Sequence, residues 1–264
     1  MPFFRIIIPN YNNAEWLDKC LWSVQSQIFT DYEVAFVDDQ STDSSLDLAR
    51  GIANGDPRFK ILEAPKKLYN GGARNYGLEE VKGKYTLFLD SDDWFVDNGV
   101  LQLLHDFIED HEYPDCIRLP YKFEYDGNKS GQVPLCDKTP AELAKSIFVA
   151  CWTKCIKSEL IQPFPENTLM EDVVQHIKQC DVINDCVPFY RMVVVHNRNN
   201  TNSITRAGNQ DLKRGKWKSS MYRYMADLLD MELVHDYCEK VRQSRVDGCL
   251  ENIKKGVYSQ SGIK

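Results

Sequence analysis

Three carboxylates follow the most apolar segment of the chain. Residues 85–89, Tyr-Thr-Leu-Phe-Leu, predict a buried strand, and Asp90, Asp92 and Asp93 come directly after it. Carboxylates this close together repel one another and are costly to remove from water. A divalent cation such as Mn²⁺ or Mg²⁺ would relieve the repulsion, because both ions accept oxygen ligands and commonly bridge phosphates. The alternative is a helix cap or a solvated turn, where Asp and Ser are also common.

A second acidic cluster favours the cation. Asp38, Asp39 and Asp43 follow another predicted strand, at residues 33–37. Ligands of parallel α/β sheets bind outside the carboxyl ends of the strands. We therefore expect the two acidic loops to lie at neighbouring strand ends and to line one polar cleft.

A glycine pair opens a predicted helix at residues 73–81. Gly71 and Gly72 would let a ligand approach the backbone, and Arg74 could offset the charge of a phosphate. A Gly-Gly turn before a helix is also common without any ligand.

Two further positions carry groups that could move a proton or bind a metal. Asp172 follows Glu171 at the start of a helical pattern, so it is either a favourable partner of the helix dipole or a general base. His196 follows a strand predicted at residues 191–195. A histidine at such a place is usually structural unless a metal or a phosphate lies nearby.

Alternating strands and helices must position these residues. Strands are predicted at residues 4–8, 33–37, 59–62 and 85–89, with helical patterns between them. This order implies right-handed crossovers and an α/β fold with a doubly wound, mostly parallel sheet, and residues 85–89 at its centre. Further along, we predict a helix around Leu101, Leu104 and Ile108, a strand at 116–125 and a short helix from Thr139. Two amphipathic helices, 212–231 and 234–255, would form a C-terminal helical hairpin.

The charge of the chain is unevenly distributed. The net charge of −7 argues against a nucleic-acid-binding surface over the whole molecule. Residues 205–264 nevertheless carry twelve Lys and Arg against eight Asp and Glu. Nine cysteines at irregular spacing predict reduced thiols, and the first residues resemble a strand and not a targeting peptide. We therefore expect a cytoplasmic protein without an integral membrane segment.

Four segments resemble family 2 glycosyltransferases in their order and spacing. They read IIIPNYN at 6–12, VDDQSTD at 37–43, GARNYG at 72–77 and FLDSDD at 88–93. Weaker matches at residues 152–154, 171–172 and 203–205 extend the resemblance over about residues 3–205. It implies the GT-A fold and a reaction that inverts the anomeric centre.

The resemblance implies a nucleotide site in the first half of the chain. Pro9 and Tyr11 would line the nucleotide pocket, with Tyr11 stacking on the base, and Asp39 would bind the base, most often uracil. Arg74 would lie near the base and the diphosphate, and Asp90 would begin the Asp-x-Asp pair.

The resemblance also implies the residues that act on the reacting groups. Asp92 is the expected direct metal ligand, His196 would touch the metal or the diphosphate, and Asp172 falls at the position of the catalytic base. The implied enzyme is a metal-dependent hexosyl- or pentosyltransferase that uses Mn²⁺ or Mg²⁺. It would move a sugar from a nucleotide-sugar, most often a UDP-sugar, to a hydroxyl of a glycan or a lipid-linked acceptor in surface glycan synthesis.

The implied organisation is a glycosyltransferase domain over residues 1–205 and a helical extension over 206–264. The domain would consist of a nucleotide-binding half, 1–97, and an acceptor half, 98–205. The basic extension could rest on the anionic inner face of a membrane.

Two other functions stay open. Basic and aromatic residues interleave at 213–224, a pattern that suits phosphate contacts and base stacking, so the acceptor could be a modified DNA base. The chain could also be a nucleotidyltransferase or an inactive nucleotide-sugar-binding module. It lacks the glycine-rich phosphate loop that we expect after the first strand of a nucleotidyltransferase. The donor sugar, the acceptor, the metal preference and the oligomeric state are not predicted.

Overall fold

The computed structural model of the chain describes residues 1–125, 128–132, 150–166 and 171–201. Within them are strands β1 to β11, in chain order Phe4–Asn10, Tyr32–Asp38, Phe59–Glu63, Tyr85–Phe88, Trp94–Phe95, Cys116–Arg118, Tyr121–Tyr125, Asn128–Gln132, Lys154–Lys157, Cys186–Pro188 and Val194–Asn197. The α-helices α1 to α5 are Ala14–Gln25, Ser45–Ala53, Tyr69–Glu80, Val100–Asp110 and Glu171–Val182. Two short 3-10 helices lie at Cys151–Thr153 and Ser158–Leu160.

Seven strands form one large sheet in the order β10-β6-β9-β4-β1-β2-β3. All neighbours are parallel except β9, which is antiparallel to both β4 and β6. The prediction of an α/β fold with a mostly parallel sheet is confirmed, and β4 lies at its centre as its apolar sequence indicates. Because parallel strands begin and end together, the loops after β1, β2 and β4 lie at one edge.

Helices cover both faces of this sheet. Ile6 and Ile8 of β1 belong to one apolar cluster with Leu17 and Leu21 of α1. Ile7, between them in sequence, packs with Ala73 of α3 on the opposite face. Successive side chains of a strand point to opposite faces, so a run of three buried isoleucines is typical of a strand covered on both sides.

A second sheet of four strands, in the order β5-β11-β7-β8, changes two of the predicted elements. The strand predicted at 116–125 divides into β6 and β7, which belong to different sheets. Pro120 between them has no N–H group to continue a ladder, and its carbonyl accepts a hydrogen bond from the Val193 N–H at 2.9 Å. The strand predicted at 191–195 begins at Val194 and runs to Asn197, so that His196 lies within β11 and not after it.

Some predicted features lie outside the described residues. They are the helix from Thr139, the match at 203–205, the basic segment 213–224 and the helical extension 206–264. None of the helices that the structure does describe is long and apolar enough to cross a membrane.

Gly77 sets how closely α3 approaches the sheet. A Cβ at this position would lie 2.9 Å from Cγ2 of Ile7 and 3.1 Å from Cγ2 of Val37. We expect Gly77→Ala to lower the free energy of unfolding by about 1–3 kcal/mol, because the helix must move away from a well-packed core. Urea denaturation measures the change.

Gly51, inside α2, provides a matched control. A Cβ there would meet no atom within 4 Å. Gly51→Ala is therefore expected to stabilise the protein by about 0.5–1 kcal/mol, since alanine loses less backbone entropy in a helix. Equal effects of the two substitutions would contradict the packing of α3 described above.

Candidate functional site

The loop after β1 joins the two acidic loops. β1 lies between β2 and β4, so the acidic loops are one strand further apart than we predicted. Asn10 Nδ2 donates a hydrogen bond to Asp38 Oδ1 at 3.0 Å, and Asn13 Nδ2 donates one to Ser91 Oγ at 3.0 Å. These bonds hold the three loops at one edge of the sheet, which therefore contains a single polar site.

Asp39 fixes the N-terminus of α3. Its carboxylate is buried and accepts hydrogen bonds from the N–H groups of Leu68, at 2.6 Å, and Tyr69, at 2.9 Å. Lys67 Nζ lies 3.1 Å from Asp39 Oδ2 and only 2.8 Å from the centre of the Tyr11 ring. The arrangement places a buried acceptor, a cation and an aromatic ring side by side.

The exposed rings at this end of the cleft are Tyr11 and Tyr69. Their exposed fractions are 49% and 38%, so both rings are accessible to a ligand. Pro9, in contrast, is buried within β1 opposite Val37. Exposed rings beside a cation can stack against a flat ligand such as a nucleotide base.

Arg74 is buried between two carboxylates. Its Nη2 donates to Asp90 Oδ1 at 2.8 Å, and its Nη1 donates to Glu171 Oε1. The side chain of Arg74 is 3% exposed and that of Glu171 is 7% exposed, whereas Asp90 is 32% exposed. Arg74 therefore connects α3, the loop after β4 and α5, and it positions the Asp90 carboxylate at the surface of the cleft.

Asp92 has an environment that opposes its negative charge. Burial raises the pKa of Asp92 to about 7, and the negative charges of Asp93 and Asp90 add to this effect. A hydrogen bond at 2.8 Å from Asn200 Nδ2 to Asp92 Oδ2 opposes it in part. Asn200 also donates to Asn13 Oδ1 at 3.1 Å, which links the last described loop to the loop after β1.

His196 is oriented by Asp93. The fully buried Asp93 carboxylate has both of its oxygens 3.1 Å from His196 Nδ1 and accepts the Asn197 N–H at 2.8 Å. The imidazole also stacks on Trp152, with ring centres 5.1 Å apart. Because a carboxylate only accepts, Nδ1 carries the proton, and in the neutral ring Nε2 keeps the lone pair with which histidines bind metals.

The charge state of His196 depends on the same carboxylates. Burial alone would lower the pKa of His196, but its hydrogen bond to Asp93 and the negative charges of Asp93, Asp90 and Asp92 raise it above its usual value. A cation bound nearby would oppose that shift, because it would compensate the same negative charges.

Asp172 lies in the first turn of α5, one residue after the partner of Arg74. Burial raises the pKa of Asp172, although the positive charges of Arg74 and Lys154 oppose the shift. Its Oδ1 accepts the Val173 N–H at 2.9 Å. A carboxylate with a raised pKa is a better proton acceptor at neutral pH than an ordinary aspartate.

The donor set at this edge fits a divalent cation that is shared with a ligand. Carboxylate oxygens of Asp90 and Asp92 are suitable ligands for Mn²⁺ or Mg²⁺, and the Nε2 atom of His196 would suit Mn²⁺ better than Mg²⁺. Within the described ranges no group of three or more His, Cys, Asp or Glu side chains is arranged to hold a metal on its own.

The structure adds residues that the sequence did not single out for the site. Asn13, Lys67 and Asn200 each bond to a predicted site residue or to its loop. Lys67 could have been noticed, since it precedes the glycine pair by a few residues. Asn13 and Asn200 carry no sequence signal, because asparagines are common in loops of every kind.

Comparison with known sequences decides the family. The sequence model described as Glycosyl transferase family 2 matches residues 5–156, more than half of the chain. The chain belongs to glycosyl transferase family 2. The resemblance of the four sequence segments is thereby confirmed, and the matched range contains the loops after β1, β2 and β4.

Curated glycosyltransferases match part of the chain. An uncharacterized glycosyltransferase of Haemophilus influenzae is 34% identical over 111 residues, which are 42% of this chain and 44% of that protein. The GalNAc(5)-diNAcBac-PP-undecaprenol beta-1,3-glucosyltransferase of Campylobacter jejuni is 30% identical over 133 residues, 49% of this chain and 41% of that protein. The chain thus spans less than half the length of these curated relatives.

Solved structures of two glycosyltransferases share the fold. TarS of S. aureus, residues 1–349, in complex with UDP-GlcNAc, has a TM-score of 0.75 at 22% identity. The match covers 93% of this chain and 74% of the TarS chain. The mannosyltransferase PcManGT of Pyrobaculum calidifontis, in complex with GDP-Man and Mn²⁺, has a TM-score of 0.63 at 16% identity. The match covers 97% of this chain and 74% of the PcManGT chain. The family 2 chain therefore has the GT-A fold.

Proposed function

We propose that this family 2 glycosyltransferase transfers a sugar from a UDP-sugar to a hydroxyl group, with inversion of the anomeric centre and with one bound divalent cation. One observation carries the proposal. The exposed Tyr11 ring, the Asp90 and Asp92 carboxylates and the Asp172 carboxylate lie in loops and a helix that hydrogen bonds connect at a single edge of the sheet.

The donor would bind across the loops after β1 and β2. The base would stack on Tyr11 over the floor that Pro9 forms, with a hydrogen bond to the Asp39 carboxylate. A uracil N–H is a donor, so it suits the buried carboxylate, which only accepts. The related structure of TarS with UDP-GlcNAc supports a UDP-sugar.

The diphosphate would lie next to Asp90 and Asp92. Asp92 and His196 are the protein ligands that we assign to the cation, with Asp90 beside them. When bound, the cation neutralises the negative charge that grows on the departing diphosphate. Arg74 contributes indirectly, because it holds Asp90 in place through the 2.8 Å hydrogen bond.

Asp172 would act as the general base. The acceptor oxygen forms a bond to the anomeric carbon while the bond from that carbon to the diphosphate oxygen breaks. The hydroxyl proton moves to the Asp172 carboxylate, and the electron pair of the broken bond leaves with UDP. An alcohol needs such a base, since its own pKa is far too high for ionisation at neutral pH.

The acceptor that we propose is a glycan or a lipid-linked sugar in surface glycan synthesis, and the enzyme would work in the cytoplasm or at the inner membrane face. The Campylobacter jejuni relative supports this assignment, because its name gives an undecaprenol-linked acceptor. The competing acceptor, a modified DNA base, depends on residues 213–224, which lie outside the described part of the chain.

Binding of nucleotide-sugars tests the proposal. Isothermal titration of UDP-, GDP- and dTDP-sugars in the presence of Mn²⁺ is expected to show tight binding of a UDP-sugar only. Asp92→Ala should weaken this binding at least tenfold and make it independent of Mn²⁺, because a ligand of the cation is lost. Asp47→Ala, at an exposed position of α2, should bind as the wild type does. Metal-independent binding by the wild type would contradict the assignment of Asp92.

A further inference from the structure

A cavity of about 470 Å³ lies at the edge of the large sheet opposite to the acidic loops. It is lined by Arg5 of β1, by Lys82 and Lys84 before β4 and by residues 157–159 at the end of β9. At about 3.3 Å per residue, Arg5 is about 17 Å from Asn10 at the other end of β1. The cavity is therefore separate from the site of sugar transfer.

The lining of the cavity is positively charged. The lining contains one carboxylate, that of Glu159, and four cations: Arg5, Lys82, Lys84 and Lys157. Lys157 pairs with Asp115 at 2.8 Å, but Lys82 and Lys84 are exposed and form no ion pair with any residue that the structure describes. Glu159 and Asp115 therefore compensate the positive charge of the lining only in part.

Arg5 is a buried cation whose hydrogen-bond partners are all neutral. Its Nε donates to Thr86 Oγ1 at 2.6 Å, its Nη1 to the Leu78 carbonyl at 3.1 Å and its Nη2 to the Ser158 carbonyl at 3.3 Å. A guanidinium has five N–H groups, so these bonds leave one on each terminal nitrogen. The residue is only 8% exposed, and burial lowers the pKa of Arg5 to about 10. A buried charge of this kind is costly unless an anion accompanies it.

We propose that this cavity binds a phosphate group, with the Arg5 guanidinium as the buried anchor and Lys82 and Lys84 as cations at the rim. The fork of an arginine matches two oxygens of a phosphate, and lysines add charge without a fixed geometry. Several cations around one cavity suit a phosphomonoester dianion better than a single carboxylate. The phosphate could belong to a soluble metabolite or to a lipid headgroup, and the site does not depend on the transfer reaction proposed above.

Titration with inorganic phosphate tests the site. Isothermal titration of the full chain is performed at low salt and with EDTA, which removes divalent cations from the acidic loops. We expect Lys82→Gln with Lys84→Gln to weaken phosphate binding about tenfold, because two charge-assisted contacts are lost. Both side chains are exposed, so the fold should tolerate the change. The double variant Lys19→Gln with Arg191→Gln removes the same charge at two exposed positions that do not line the cavity, and it should bind phosphate within about twofold of the wild type.

Vesicle sedimentation distinguishes the two sources of the phosphate. Binding to vesicles of phosphatidylcholine with phosphatidic acid, lost in the Lys82 and Lys84 double variant, would assign a lipid headgroup. Binding of inorganic phosphate without binding to these vesicles would assign a soluble ligand. The proposal is overturned if the wild type binds neither probe, or if the rim variant and the control variant bind phosphate equally well. Arg5→Gln, where it folds, should abolish the binding of both probes.

Discussion

Asp172→Asn is expected to lower kcat by about 10²- to 10⁴-fold while the affinity for the UDP-sugar changes less than twofold. The amide has nearly the same shape as the carboxylate but cannot accept the proton of the attacking hydroxyl, so the loss is the contribution of general base catalysis. The donor contacts that we assign lie in the loops after β1, β2 and β4, not in α5. Release of UDP measures the rate, and isothermal titration measures the affinity.

The pH dependence of kcat provides a second readout of the same role. Asp172 must be ionised to accept a proton, and burial raises its pKa. Activity is therefore expected to decline as the pH falls through this raised value, at a higher pH than an ordinary aspartate would give. At saturating Mn²⁺, which keeps the Asp92 ligand ionised, the residual activity of Asp172→Asn should lack this decline.

Asp181→Asn is the matched control for Asp172→Asn. Asp181 lies in α5 as well, but it is exposed. The control introduces the same chemical change in the same helix and should leave kcat and donor affinity unchanged. A kcat of Asp172→Asn within tenfold of the wild type would remove Asp172 from the role of base, and another group would then have to accept the proton.

Local sequence was sufficient to predict the part of the site that lies on β1, β2 and β4. Each of these strands is a short apolar run that ends in polar residues, so the position of Asp38 or Asp90 at a strand end follows from the pattern alone. The parallel sheet then follows from the helical patterns between the strands. The strands and the helices are both inferred from residues that are close in sequence, and the periodic pattern of apolar residues reflects such local arrangements.

Contacts between distant residues could not be predicted in this way. His196 and its partner Asp93 are 103 positions apart, and Asn200 and Asp92 are 108 positions apart. No periodic pattern records such a pair. The division of residues 116–125 between two sheets depends likewise on Val193, whose N–H bonds to the Pro120 carbonyl.

The environment of Arg74 also depends on a residue that is distant in sequence. The sequence predicts that Arg74 lies near the base and the diphosphate, where it could offset phosphate charge, and the structure places its guanidinium between Asp90 and Glu171. A contact with phosphate and an ion pair with carboxylates use the same forked donor geometry of arginine, so the sequence does not distinguish them. Glu171 binds one side of the Arg74 guanidinium, and it lies in α5, 97 positions further along the chain.

Arg74→Met is expected to lower the free energy of unfolding by about 3–5 kcal/mol. Methionine has a similar length and keeps the apolar contacts, but the buried Glu171 carboxylate loses its partner, and an uncompensated buried charge is strongly destabilising. Donor binding in Mn²⁺ should weaken as well, since Asp90 loses the hydrogen bond that positions it. Urea denaturation at pH 7 measures the first effect, and titration with the UDP-sugar measures the second.

Two further variants separate loss of charge compensation from loss of packing. Arg74→Met combined with Glu171→Gln should regain most of the lost stability, because the second substitution removes the unpaired charge. Arg50→Met, which breaks the exposed ion pair with Glu63, should cost only about 0–1 kcal/mol. If the double variant is as unstable as Arg74→Met alone, the cost comes from packing around the methionine. The ion pair would then not be what joins α3 to α5 beneath the site.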